Sequence, residues 1–214
     1  MRREPRPFVK DACIVVGMAL GLSFLAAGCS SAVRKPRASD RYALAYDPPR
    51  TPGRYESLPV AIKVARFAVA SPYHTGSIIR RDRSLKEHPF SSVQWQESPA
   101  DMVTRLLSRD LKRSGLFGSV LPPGEGTFYS HHLLGSVDEF FVWDTEKSWR
   151  AVIFLNIALE EREGEGNRFQ RTYSTSRLCN TKHPGSVAES MSSAMGELSA
   201  RIMEDIYRYL EERY

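Results

Sequence analysis

The sequence predicts a single layered α/β domain, a mixed β-sheet carrying two amphipathic helices. Three observations predict it. Two stretches, near residues 98–115 and 186–209, repeat apolar residues at three- and four-residue spacing. Several shorter runs alternate apolar with polar residues or are apolar throughout, as strands are. A chain of 214 residues with 42% apolar and 26% charged content suits one domain with appendages, and excludes wholesale disorder, collagen and coiled coil. Thirty Lys and Arg against 25 Asp and Glu give a formal charge of +5, too mild to imply nucleic acid.

The start of the chain stands outside that domain. Arg2, Arg3, Arg6 and Lys10 make a basic head, and residues 12–27 are uncharged and almost wholly apolar. That run falls short of the roughly 20 residues of a membrane-spanning helix and ends in small residues, the layout of an export signal. Leu25-Ala26-Ala27-Gly28-Cys29 resembles the lipobox of bacterial lipoproteins, with Ala26 three residues before the cysteine and Leu25 one further back. The resemblance implies cleavage before Cys29, which would carry covalent diacylglycerol and an N-acyl chain. Several acyl chains, at about 0.8 kcal/mol per buried methylene, anchor stably. Ser30, where inner-membrane retention uses an Asp, implies the periplasmic face of the outer membrane. Cleavage would remove four basic and two acidic residues, leaving 26 against 23. Cys179 would be the one free thiol, with no disulfide to support the fold.

Residues 30–54 read as a tether: four prolines, six basic residues and two aspartates, with little to bury. Its charge reads equally as a contact for anionic head groups or as a soluble linker. Tyr42, Leu44 and Tyr46 alternate, so a short edge strand docking on the domain is a candidate. The expected organisation is a signal over 1–28, lipidated Cys29 with its tether over 29–54, and the domain over 55–214.

Val60, Ile62 and Val64 alternate as a strand, and Phe67 and Val69 continue out of phase, which predicts a bulge. Ile78-Ile79 and Val93-Gln94-Trp95 read as short extended pieces around a charged connection over 80–88. Ser98-Pro99-Ala100-Asp101 is a helix start with an N-cap, a first-turn proline and a capping box. Met102, Val103, Leu106, Leu107 and Leu111 form its apolar face, and Gly115 ends it. Strands follow over 116–121 and 133–142. The run over 149–159 is apolar at every odd position, with Val152, Phe154 and Ala158 on the other face, which predicts a strand covered on both sides. Gly164, Gly166 and Asn167 turn the chain into a polar strand over 169–178. Ser186 and Glu189 form a second capping box, opening a helix whose face is Val187, Met191, Met195, Leu198, Ile202, Ile206 and Tyr209.

Four features together resemble the ABC-type transport auxiliary lipoprotein family, which includes paraquat-inducible protein C. They are Cys29 followed by Tyr42-x-Leu44 and prolines; Leu58-Pro59-Val60 with Ile78-Ile79-Arg80; Trp95-x-x-x-Pro99-x-x-Met102; and Ser114-Gly115-Leu116-Phe117 with Val120. The resemblance implies a fold like the N-terminal domain of the periplasmic protein TolB. It also implies an outer-membrane lipoprotein serving a lipid transport system, in which a protein with mammalian-cell-entry (MCE) domains carries lipid across the periplasm. No catalytic residue, metal or diffusible cofactor comes with it. The partners it implies are an MCE protein and outer-membrane lipid, with homo-oligomers as a candidate state.

The residues give enzymes little to build on. The histidines are His74, His88, His131, His132 and His183, and no zinc-binding helix, nucleophile elbow or Gly-rich phosphate loop is present. His131 and His132 are adjacent on a strand and point to opposite faces. Cys179 with His183 is the arrangement that an envelope hydrolase would use. Arg80, Arg81 and Arg83 beside Ile78-Ile79 could engage phosphate head groups or an acidic partner surface. The reading is a non-catalytic adaptor in MCE-type lipid transport. The alternatives are a lipid-binding chaperone with its own apolar cavity and, behind it, the hydrolase.

Overall fold

The computed structural model describes residues 39–50, 55–162 and 168–214. The expected signal, Cys29, the start of the tether and the turn at Gly164, Gly166 and Asn167 lie outside the described residues. The strands are β1 (Asp40–Tyr42), β2 (Leu58–Val64), β3 (Ala68–Val69), β4 (Ser77–Arg81), β5 (Glu87–Trp95), β6 (Phe117–Leu121), β7 (His131–Asp144), β8 (Trp149–Glu161) and β9 (Arg168–Leu178). The helices are α1 (Pro99–Ser114) and α2 (Pro184–Glu211), with a 3-10 turn at Ser71–Tyr73. This is the mixed α/β domain expected from the sequence.

The long strand β7 is the seam of the sheet. One edge pairs antiparallel with β8 from Asp144↔Trp149 to His131↔Glu161, and β9 continues beyond β8. The other edge receives three short parallel strands in succession: β2 at His131, β3 at Val137 and β4 at Phe141. Outside β2 lies β6, parallel; outside β4 lies β5, antiparallel, and then β1, parallel.

The phase shift at Phe67 marks the step from β2 to β3. Ala65 and Ala70 donate their backbone N–H groups to Leu133 and Val137 of β7. Between them the Phe67 N–H donates to Thr104 Oγ1 of α1 at 3.0 Å. The freed ring drops onto Gly135, where a Cβ would lie 2.4 Å from Phe67 Cε2. The absent side chain in β7 makes room for the ring, so a glycine inside a long strand is a packing requirement.

Both helices cover one face of the sheet. Ala151, Ile153, Leu155, Ile157 and Leu159 of β8 are wholly buried there, with Leu106, Leu107 and Leu111 of α1 and Met191, Met195, Leu198 and Ile202 of α2. Each buried Leu, Ile or Met among them contributes about 1.5–3 kcal/mol. The opposite face corrects the expectation for β8 in part: Val152 and Phe154, with Arg150 and Asn156, are half-buried, while Ala158 is buried as expected. A polar ladder crosses it instead. Thr172 donates to Asn156 Oδ1 at 2.6 Å, Asn156 Nδ2 donates to Asp138, and Ser136 donates to Asp138 at 2.6 Å.

Helix α1 starts and stops as predicted. Ser98 Oγ accepts from the Asp101 N–H at 3.2 Å, and Gly115 ends the helix at φ 68°. Helix α2 starts earlier than its capping box suggests. Pro184 occupies the first turn, and the cap is His183, whose Nδ1 accepts from the Gly185 N–H at 3.1 Å. Ser186 is buried in the first turn and accepts from the Thr181 N–H. Proline at the first position, with its preset φ and no N–H to satisfy, fixes the boundary ahead of the serine.

The described part of the tether also differs from a free linker. β1 pairs with Val93–Trp95 of β5, Tyr42 O accepts from Gln96 N–H at 2.7 Å, and Leu44 is 3% exposed. The alternation of Tyr42, Leu44 and Tyr46 therefore marks a docked strap, and the folded unit begins near Asp40 rather than at Tyr55.

Candidate functional site

Two places gather polar chemistry: the β4–β5 hairpin, where the arginine cluster was expected, and the crossing of the strap over the helices.

Arg80 and Arg81 sit in β4 itself, not in a loop, so strand alternation sends them to opposite faces. Arg81 is held on all sides. It donates to Glu87 at 2.7 Å, to Glu139 at 3.1 Å and to Tyr73 Oη at 3.3 Å, and its guanidinium stacks 3.9 Å from the Phe141 ring centre. The two carboxylates keep its pKa above the ordinary value despite burial. Arg80 lies 3.5 Å from Asp144 and 5.7 Å from the Phe90 ring centre. Arg83 alone reaches into solvent, 3.9 Å from Glu146, with both side chains exposed. The three guanidinium groups do not converge on one ligand.

The hairpin tip is shaped by Asp82. Its carboxylate accepts from Ser84 Oγ at 2.6 Å, the Ser84 N–H at 2.8 Å and the Lys86 N–H at 3.3 Å, with His88 at 3.1 Å. These donors, Ser84 first, hold its pKa down to about 2. Leu85 at the apex adopts φ 62° and is 68% exposed.

The second place centres on Asp110, 1% exposed in α1. It accepts from Tyr46 Oη of the strap at 2.7 Å and from Ser199 Oγ of α2 at 2.7 Å, and pairs with Arg109 at 2.8 Å. Three segments far apart in sequence thus meet on one carboxylate. Burial, then Asp110, pushes the Tyr46 hydroxyl pKa well above its ordinary value. Alongside, the Ala45 N–H donates to Ser192 Oγ at 3.0 Å, and the Tyr46 ring lies against Gly196. The sequence reading missed this cluster, although a signal exists: Asp110 falls on the apolar stripe of α1, between Leu106, Leu107 and Leu111.

The rival catalytic groups are dispersed. Cys179 is buried, its thiol pKa pushed up by desolvation, and His183 is occupied in capping α2. His131 is buried beside Ser130 Oγ at 2.9 Å, while His132 lies against the Tyr129 ring. Among the described residues, no three side chains are grouped to hold a metal, and no helix is long and apolar enough to cross a membrane.

No family model and no curated protein matches the chain. Solved structures do. A Xanthomonas campestris protein assigned to the DUF330 family superposes with a TM-score of 0.72 at 17% identity, covering 80% of this chain and 97% of that one. A crystal structure described as an uncharacterized protein gives 0.63 at 12% identity, over 79% and 99%. A hypothetical protein of Chlamydia trachomatis gives 0.51 at 6%, over 71% and 98%. At these identities the likeness is one of fold.

Proposed function

We propose that the chain is an outer-membrane lipoprotein that faces the periplasm and serves as a non-catalytic auxiliary component of an MCE-type lipid transport system. The observation that carries this reading is the lipobox-like Leu25-Ala26-Ala27-Gly28-Cys29, placed after a basic head and an apolar run and followed by a folded domain. The resemblance to the transport auxiliary lipoproteins supplies the transport role. The docked strap supports it, because residues 40–46, downstream of the cysteine, are built into the domain at β5, α1 and α2. Burial of Cys179 and the capping role of His183 favour a scaffold over a hydrolase.

Of the expected arginines, Arg83 remains the exposed candidate for a head group or an acidic partner, since Arg81 is spent on Glu87, Glu139 and Phe141. The test has two readouts. Globomycin should block processing, and intact-mass analysis should find acyl groups on Cys29. Crosslinking followed by affinity purification should recover an MCE-domain protein. A bare thiol at Cys29 would refute the anchor, and crosslinked material without an MCE protein would refute the transport role.

A further inference from the structure

A groove runs along the solvent side of α1. It is open to solvent and holds about 460 Å3 between the helix, Arg66 in the β2–β3 link and the Pro122-Pro123 turn that follows β6. Val120 and the proline rings form the apolar part of the floor, the buried Thr104 and Ser108 lie beside them, and Ser108 Oγ is buried there without a partner. Arg105, Arg109 and Lys112 line the rim from successive turns of the helix. The two rim carboxylates are already engaged, Asp101 by Arg66 at 2.6 and 2.8 Å and Glu97 by Arg105 at 3.4 Å. Arg109 turns away to Asp110, and Lys112 enters no ion pair among the described residues.

We propose that this groove binds a long-chain fatty carboxylate, its chain lying on the floor and its carboxylate at Lys112. An apolar cavity of ~150 Å3 holds one benzene ring, about 25 Å3 per carbon, so the groove has room for a single chain of about 18 carbons. The charge fits an acid: with both rim carboxylates neutralised, Lys112 presents an uncompensated cation at one end of an apolar trough. The site goes beyond the adaptor role and requires neither lipidation of Cys29 nor an MCE partner, so either reading can fail without the other.

The test uses the full chain in envelope membranes and a palmitate-length fatty acid bearing a mid-chain diazirine and a terminal alkyne. The matching fatty alcohol serves as the uncharged control. Labelling is expected within residues 99–123. It should fall about fivefold with the alcohol and about fivefold in Lys112→Glu, a change at an exposed helix position that leaves the core intact. Ser108→Leu, which fills the floor, should abolish it; a matched thermal melt checks that this variant is folded. Labelling elsewhere, no labelling, or equal labelling by acid and alcohol with Lys112→Glu unchanged overturns the proposal.

Discussion

Replacing Tyr46 with Phe removes one hydroxyl and leaves the ring on Gly196. The lost bond is 2.7 Å long and ends on a carboxylate that is 1% exposed. Hydrogen bonds to charged groups contribute about 1.5–3 kcal/mol. Asp110 keeps Ser199 and Arg109, so it is not left unpaired, and a loss of about 2 kcal/mol is expected. In a domain of this size that lowers Tm by about 4–8 °C. Urea melts of Tyr46→Phe, Asp110→Ala and the double variant supply the second measure. The two changes should couple by at least ~1 kcal/mol, since they remove the same bond. Hydrogen exchange at the Ala45 amide should quicken in Tyr46→Phe, because its acceptor, Ser192, sits under the same strap. A Tm shift below about 2 °C, or strictly additive losses, would refute the view that Asp110 holds the strap.

Three further outcomes follow from packing and charge. Gly135→Val should cost about 1–3 kcal/mol in thermal or urea melts, because its Cβ would collide with the Phe67 ring, and Phe67→Ala should relieve that clash. Tyr46 and Tyr173, each bonded to a carboxylate, have pKa values raised by burial first and by Asp110 or Asp205 second. Their stabilisation is present below the ordinary tyrosine pKa of about 10 and is lost as pH rises beyond it, so the urea midpoint should fall there, less steeply in Tyr173→Phe. Burial lowers the pKa of His131, so the fold keeps it neutral while the unfolded chain takes up a proton. Stability should decline as pH falls below about 6.5, and His131→Gln should flatten that decline.

Local chemistry made much of the architecture legible. The Ser98 cap, the Gly115 stop and the apolar stripes of both helices depend on neighbours within a turn or two, and the structure reproduces them. Long-range events were harder to read. The covered face of β8 was evident from its odd positions, but nothing local said that Val152 and Phe154 on the other side would be only half-buried. The arginines read as a cluster because they are adjacent in sequence. Their separation depends on β4 extending through Arg81, which is set by pairing with β7 and β5. Asp110 was hidden for the opposite reason: its partners lie 64 and 89 residues away, and only its place on an apolar stripe betrays it. The rim and floor of the α1 groove come from three separate segments and leave no motif.

The arrangement around Asp110 also orders events in time. Ala45 and Tyr46 are made early, yet Ser192 and Gly196, on which they rest, belong to the final helix. Synthesis runs from the N-terminus, so β5 and Asp110 are on hand early, whereas the strap's contacts with the final helix wait until nearly all of the chain has been made. Contacts of such long sequence separation form late in general. The last of the strap's contacts to form are therefore those with α2, and their closure marks the finished fold.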